Sequence, residues 1–172
     1  VAILDVDYHA GNGTASIFYH DDPTVLVISI HCHPDWEYPF HSGFADETGG
    51  PQAPKTTLNL PLEPGMVQSY QPHYHNALLR AIDAIREFNN GQCVIISLGL
   101  DALQGDPCAI RRAGFQLQPD DYTIMGRTIR EGLLTNNNDD DDDNMTIMVT
   151  QEGGYRMDWV PVAAANFVKA LA

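Results

Sequence analysis

Apolar runs alternate with stretches of helical spacing along this 172-residue chain. Val1–Val6 reads as a buried strand, and the β-branched run Thr24–Ile30 as a second. Cys93–Leu98 and Met145–Thr150 read as a third and a fourth buried strand, and Thr57–Leu62 as a shorter one. Between them, Thr14–Tyr19, Val67–Phe88, Asp120–Leu134 and Trp159–Leu171 carry helical patterns; in the longest, Tyr70, Tyr74, Leu78, Ile82 and Ile85 share one face. Strands separated by helices predict an α/β fold in three layers, a mainly parallel sheet with helices on both faces. Continuous apolar strands fit that arrangement, because both sheet faces are then covered. The chain opens inside such a run, so the pattern predicts sequence ahead of Val1. Residues 32–55 mix Pro, Gly and aromatics without period and read as a long loop, a length that in compact domains is usually functional.

Composition narrows the function classes. A hydrophobic fraction of 44% is that of a globular chain. The formal charge is −14, of which Asp139–Asp143 contribute five, so direct contact with nucleic acid phosphates is not expected. Residues 136–144 read as a low-complexity acidic insertion, solvated ahead of the last strand. No apolar run reaches the 18 residues of a membrane span. Three cysteines (Cys32, Cys93, Cys108) without CxxC spacing read as reduced thiols of a cytoplasmic or nuclear protein.

Open sheets of this kind bind ligands beyond the carboxyl ends of their strands. The first strand ends in Asp5-Val-Asp7-Tyr-His9, where alternation puts two carboxylates and an imidazole on one face. A polar strand end that merely caps the next helix is the bland alternative; three metal-capable groups together favour a metal site. The third strand ends in Asp101, and Asp7, His9 and Asp101 would give the three protein ligands typical of catalytic zinc. The fourth ends in Gln151-Glu-Gly153-Gly154-Tyr155, where paired glycines let backbone pass close to a ligand and Tyr155 could donate a hydrogen bond to an oxyanion. Taken alone, Asp101 reads equally well as a helix cap and Tyr155 as a tyrosine packed at a turn. Trp36, Tyr38, Phe40 and Phe44 sit on the long loop, either walling a substrate tunnel or holding the loop down.

Together, LDVDYHAGNGT (4–14), SIH (29–31), YPFHSGFADETG (38–49), SLGLDALQGDP (97–107) and QEGGY (151–155) resemble the histone deacetylase and acetylpolyamine amidohydrolase superfamily, in texture nearest its acetylpolyamine amidohydrolase-like and class II branch. The resemblance covers nearly the whole chain. It implies an arginase-deacetylase-like fold whose N-terminal part is missing, so that 1–172 form a partial catalytic domain. The implied activity is zinc-dependent hydrolysis of the acetyl amide of acetyl-lysine, in histones or other proteins, or of acetylpolyamines, by metal-activated water attack. One Zn2+ on Asp7, His9 and Asp101 is implied, with Tyr155 as the electrophilic tyrosine and Asp5 as the aspartate orienting a catalytic histidine. A structural K+ beside it would use Asp5, Asp7, His9, Ser29 and Ile30. Tyr38, Phe40, Cys108, Gly153 and Gly154 would meet substrate, and Asn12 replaces a second orienting Asp.

The family's tandem histidines precede the DVDYH strand. No His-His pair occurs in this chain, so the 172 residues alone are expected to be inactive. Acidic gatekeepers can favour polyamines; Cys108 is neutral and gives no such support. The resemblance is compatible with a homo-oligomer or a corepressor-type complex. Two other readings stay open: a binding-only relative, and an arginase-like ureohydrolase, which would need a further carboxylate where Gly99 or Leu103 stands.

Overall fold

The computed structural model describes residues 1–88, 93–109, 114–134 and 145–172. The acidic run at 136–144 therefore lies outside the described residues. Five strands form one parallel sheet in the order β3-β2-β1-β4-β5. They are β1 (Ala2–Asp5), β2 (Leu26–Cys32), β3 (Thr57–Leu62), β4 (Cys93–Gly99) and β5 (Thr146–Glu152). The helices are α1 (Asn12–Phe18), α2 (His75–Glu87), α3 (Asp121–Leu133) and α4 (Val160–Leu171).

Side-chain alternation divides the sheet between two cores. Leu4, Ile28, Ile30, Ile96 and Leu98 point to one face, where they pack with α2, α3 and α4. Ile3, Val27 and Ile95 point to the other, where Ala15 and Phe18 of α1 cover them. The expected three-layer α/β architecture is thus present. None of the helices among the described residues is long and apolar enough to cross a membrane.

Two elements depart from the pattern. The helix expected from Val67 starts regularly only at His75. Gln71 ahead of Pro72 is extended (φ −95°, ψ 147°) and breaks the run, because a proline ring disfavours the helical conformation of the residue before it. The last strand was expected to be buried, yet β5 is an edge strand paired only to β4 among the described residues. Ile147 and Val149 reach the core while Met148 is 59% exposed.

Parallel register brings the strand ends level. Asp5 lies beside Ser29 on one side and Ser97 on the other, and Gly99 lies beside Glu152. The carboxyl ends of β1, β4 and β5 so form one rim, and the chemistry collects there.

Candidate metal and active site

Asp7 and His9 were expected to continue the pleat of the first strand, but β1 ends at Asp5. The convergence comes instead from a ladder of local hydrogen bonds. The Asp7 N–H donates to Asp5 Oδ1 at 3.0 Å, and the His9 N–H donates to Asp7 Oδ1 at 2.8 Å. Each carboxylate holds the backbone two residues on, a turn that Asp forms readily. A third bond anchors the turn to the neighbouring strand's end: the Tyr8 N–H donates to Asp101 Oδ1 at 2.9 Å.

The side chains then meet. His9 Nδ1 lies 3.1 Å from Asp7 Oδ1 and 3.0 Å from Asp101 Oδ2. One ligand atom from each of Asp7, His9 and Asp101 lies within 4.8 Å of the others. Among the described residues no other group of three metal-capable side chains lies as close, so the second metal an arginase-like enzyme needs finds no such site. Two carboxylates and one imidazole, with a face open to a cleft, suit zinc as donors.

Backbone without side chains frames the trio. A Cβ on Gly99 would fall 2.3 Å from the Asp7 Cα, and one on Gly153 would fall 2.5 Å from Asp7 Oδ2. Gly153 also has φ +44°, a conformation glycine adopts without cost. Glycine at both positions leaves room for Asp7 to face the cleft.

Electrostatics mark the same place. Burial pushes the Asp5 carboxyl up to about 7, and the charges of Asp7, Glu152 and Asp101 add to the rise. Burial also raises Asp101 above the usual carboxylate range. Burial acts to lower His9, but hydrogen bonds to Asp101 and Asp7 prevail and push it up to about 10. The site holds more negative charge than its one imidazole balances.

The cleft encloses about 490 Å3. Asp5, Asp7, His9 and Asp101 form its floor side, with Tyr38, Cys108, Gly153 and Tyr155 also lining it. Tyr155 is 53% exposed, and the neighbouring Cys108 is the leading influence holding its hydroxyl above the ordinary phenol range. Among the loop aromatics, Tyr38 faces the cleft with its ring 6.4 Å from that of His9. Trp36 instead donates its indole N–H to Glu63, and Phe44 packs on His33, so these two hold the loop down. Phe40 and Gly154 do not line the cleft; Phe40 is half exposed, and Gly154 abuts Leu100.

Ser29 and Ile30, expected at a potassium site, are buried in β2. The Ser29 hydroxyl already accepts from the Gly11 N–H at 3.2 Å and contacts His31 Nδ1 at 2.8 Å. Glu152 was not foreseen; it lines the cleft and accepts from the Ser97 hydroxyl at 3.1 Å. Asp106 was not foreseen either, and it ties two loops together. The only sequence signal for it was its place in a Gly105-Asp106-Pro107 turn. All three cysteines are free thiols.

The histone deacetylase domain model matches residues 1–171. The chain is 34% identical over 172 residues to an acetylpolyamine amidohydrolase of Mycoplana ramosa, spanning all of this chain and 45% of that protein. It is 38% identical over 170 residues to acetylpolyamine amidohydrolase 2 of Pseudomonas aeruginosa, spanning 98% and 43%. The crystal structure of an acetylpolyamine aminohydrolase from Burkholderia pseudomallei superposes with a TM-score of 0.81 at 29% identity, over 99% of this chain and 44% of that one. The chain thus spans a little under half the length of the relatives it matches. Sequence and fold agree, and the chain belongs to the histone deacetylase domain family.

Proposed function

We propose that the full-length protein carrying this chain is a zinc-dependent deacetylase acting on acetyl-lysine or acetylpolyamines. One observation carries it: Asp7, His9 and Asp101 converge in a cleft that also presents the Tyr155 side chain. The named relatives, acetylpolyamine amidohydrolases, favour that reaction over ureohydrolysis.

Asp7, His9 and Asp101 would hold the ion, which when bound supplies the Lewis acidity that amide hydrolysis needs at neutral pH. The Tyr155 phenol, held above its usual range, keeps its proton and can donate a hydrogen bond to the carbonyl oxygen as negative charge develops there. Tyr38 and Cys108 flank the way in, and both are uncharged walls for an aliphatic chain. Asp5, buried behind the ligands, would orient a histidine base. Among the described residues His9 is the one histidine lining the cleft, and it would be committed to the ion. The base would therefore come from the part of the relatives' length that this chain does not span. A potassium ion on Asp5, Ser29 and Ile30 is a separate proposal, and no step depends on it.

The test uses the full-length protein and its Asp101→Ala variant. Zinc content is measured alongside hydrolysis of an acetyl-lysine peptide and an acetylated polyamine. Zinc-dependent turnover that disappears with Asp101 is the expected result, and the preferred substrate identifies the branch. Stoichiometric zinc without turnover of either substrate would replace this reading with a binding-only one.

A further inference from the structure

Asp106 is a completely buried carboxylate (0% exposed) between the loop after β4 and the loop after β5. Its Oδ1 accepts from the Cys108 N–H at 2.9 Å. Its Oδ2 accepts from the N–H groups of Tyr155, at 2.6 Å, and Arg156, at 3.0 Å. Backbone donors to an ionised carboxylate are among the strong hydrogen bonds of proteins. Two of the three come from chain 49 and 50 residues away. The Arg156 guanidinium adds a second tie: it donates to the Gln104 carbonyl and stacks over the Trp159 ring, 3.3 Å from its centroid.

Tyr155 needs such a tie. Its side chain is half exposed, and the two residues before it are glycines with φ of +44° and +91°. Neither burial nor backbone stiffness fixes the ring. The peptide N–H at 155 is held directly, to a carboxylate five residues past the metal ligand Asp101.

We propose that Asp106 is a positioning residue for Tyr155. Its carboxylate pins the 155–156 backbone to the loop bearing Asp101, and so sets where the phenol hydroxyl stands relative to the metal ligands. The catalytic part of this inference rests on the deacetylase reading above; the structural part does not.

Asp106→Asn in the full-length, zinc-loaded protein is the test. The side chain keeps its size but has one acceptor oxygen instead of two. Either Cys108 or the Tyr155–Arg156 pair must then face an NH2 group. The expected result is a kcat about 10–100-fold lower with KM nearly unchanged and zinc content intact. In a Tyr155→Phe background the same change should cost less than about threefold, because the group it positions is already gone. Losses that multiply in the double variant would overturn the proposal, since a merely structural role gives that result. A second readout needs no turnover: 3-fluorotyrosine at position 155 followed by fluorine NMR. Asp106→Asn should shift or broaden that resonance, and an unmoved line refutes the tie. Asp106→Glu keeps the charge but displaces it, and should move the same resonance if the Asn variant does not fold. If the wild-type protein turns over no acetyl amide, the functional reading fails, and the fluorine line still decides the tie.

Discussion

Replacing Gly153 with alanine should weaken zinc binding far more than it weakens the fold. Two costs arise. The backbone at 153 has φ +44°, where an L-residue costs about 1–2 kcal/mol. The new Cβ would also stand 2.5 Å from Asp7 Oδ2, well inside van der Waals contact. The carboxylate end can swing away, so this second clash costs the metal-free protein little. A zinc ion held by Asp7, His9 and Asp101 would not tolerate the swing, because Asp7 would be one of its three ligands. Disturbing the immediate support of a ligand typically costs about 10–100-fold in metal affinity. The assay is competition against a chromogenic zinc chelator on the full-length protein, with thermal unfolding run with and without zinc. A 100-fold weaker site removes about 2.7 kcal/mol of zinc-linked stabilisation at saturating metal. Gly13→Ala is the control: it lies in α1 with nothing within 4 Å of its added Cβ, and should stabilise by about 0.5–1 kcal/mol without touching affinity. Wild-type zinc affinity in Gly153→Ala would refute the placement of Gly153 against Asp7.

Three further outcomes follow from the same geometry. Tyr155→Phe should lower kcat by about 10²–10³ while leaving zinc content and melting temperature unchanged, since the side chain is largely in solvent; steady-state kinetics with calorimetry checks both. His31 is buried, which lowers it to about 4 although Nε2 donates to the Gly43 carbonyl and Nδ1 accepts from the Ser29 hydroxyl. Its folded value lies below the ordinary 6.5, so the unfolded chain takes up the proton first, and stability falls as pH drops from about 6.5 towards 4, by up to about 3 kcal/mol. Denaturant unfolding of wild type minus His31→Gln across that window should show this slope. The difference also removes the opposite slope that Asp5 contributes, and a flat difference would contradict the burial of a neutral His31. The isolated 172-residue chain should hydrolyse neither substrate, because among the described residues its cleft offers no histidine besides His9; turnover by the isolated chain would show that the base lies within it.

The parallel sheet was legible because β1, β2 and β4 are short apolar runs that pattern alone marks as covered on both faces. The exposure of β5 was not, since Ile147 and Val149 give it the same texture while its other neighbours in the sheet differ. The metal trio was foreseen, but for an incomplete reason. Alternation along a strand predicted a shared face for Asp5, Asp7 and His9, whereas the chain leaves the strand at Asp5 and reaches the same result through successive Asp-to-backbone bonds. Both routes place every second side chain together, which is why the sequence could not distinguish them. Asp106 and Glu152 were invisible as site residues for another reason. Apart from the local Cys108 N–H, their partners are backbone N–H groups and a hydroxyl from segments 49 to 55 residues distant, and such pairings leave no periodic trace.

The charge of the cleft is what binds these observations to a cation. Asp5, Asp7, Asp101 and Glu152 all line it, and no lysine or arginine does among the described residues. Burial is the leading cause of the raised Asp5 and Asp101, and the neighbouring carboxylate charges add to it. Protein interiors usually resolve such crowding with an arginine or by substituting one acid. Here the chain does neither, and instead spends glycines at 99 and 153 to keep Asp7 turned inward. It also buries Asp106 against backbone donors. A divalent ion held by Asp7, His9 and Asp101 would relieve the repulsion among these acids. The same negative field would favour a cationic ligand over an anionic one in the cleft that Tyr38 and Cys108 also line.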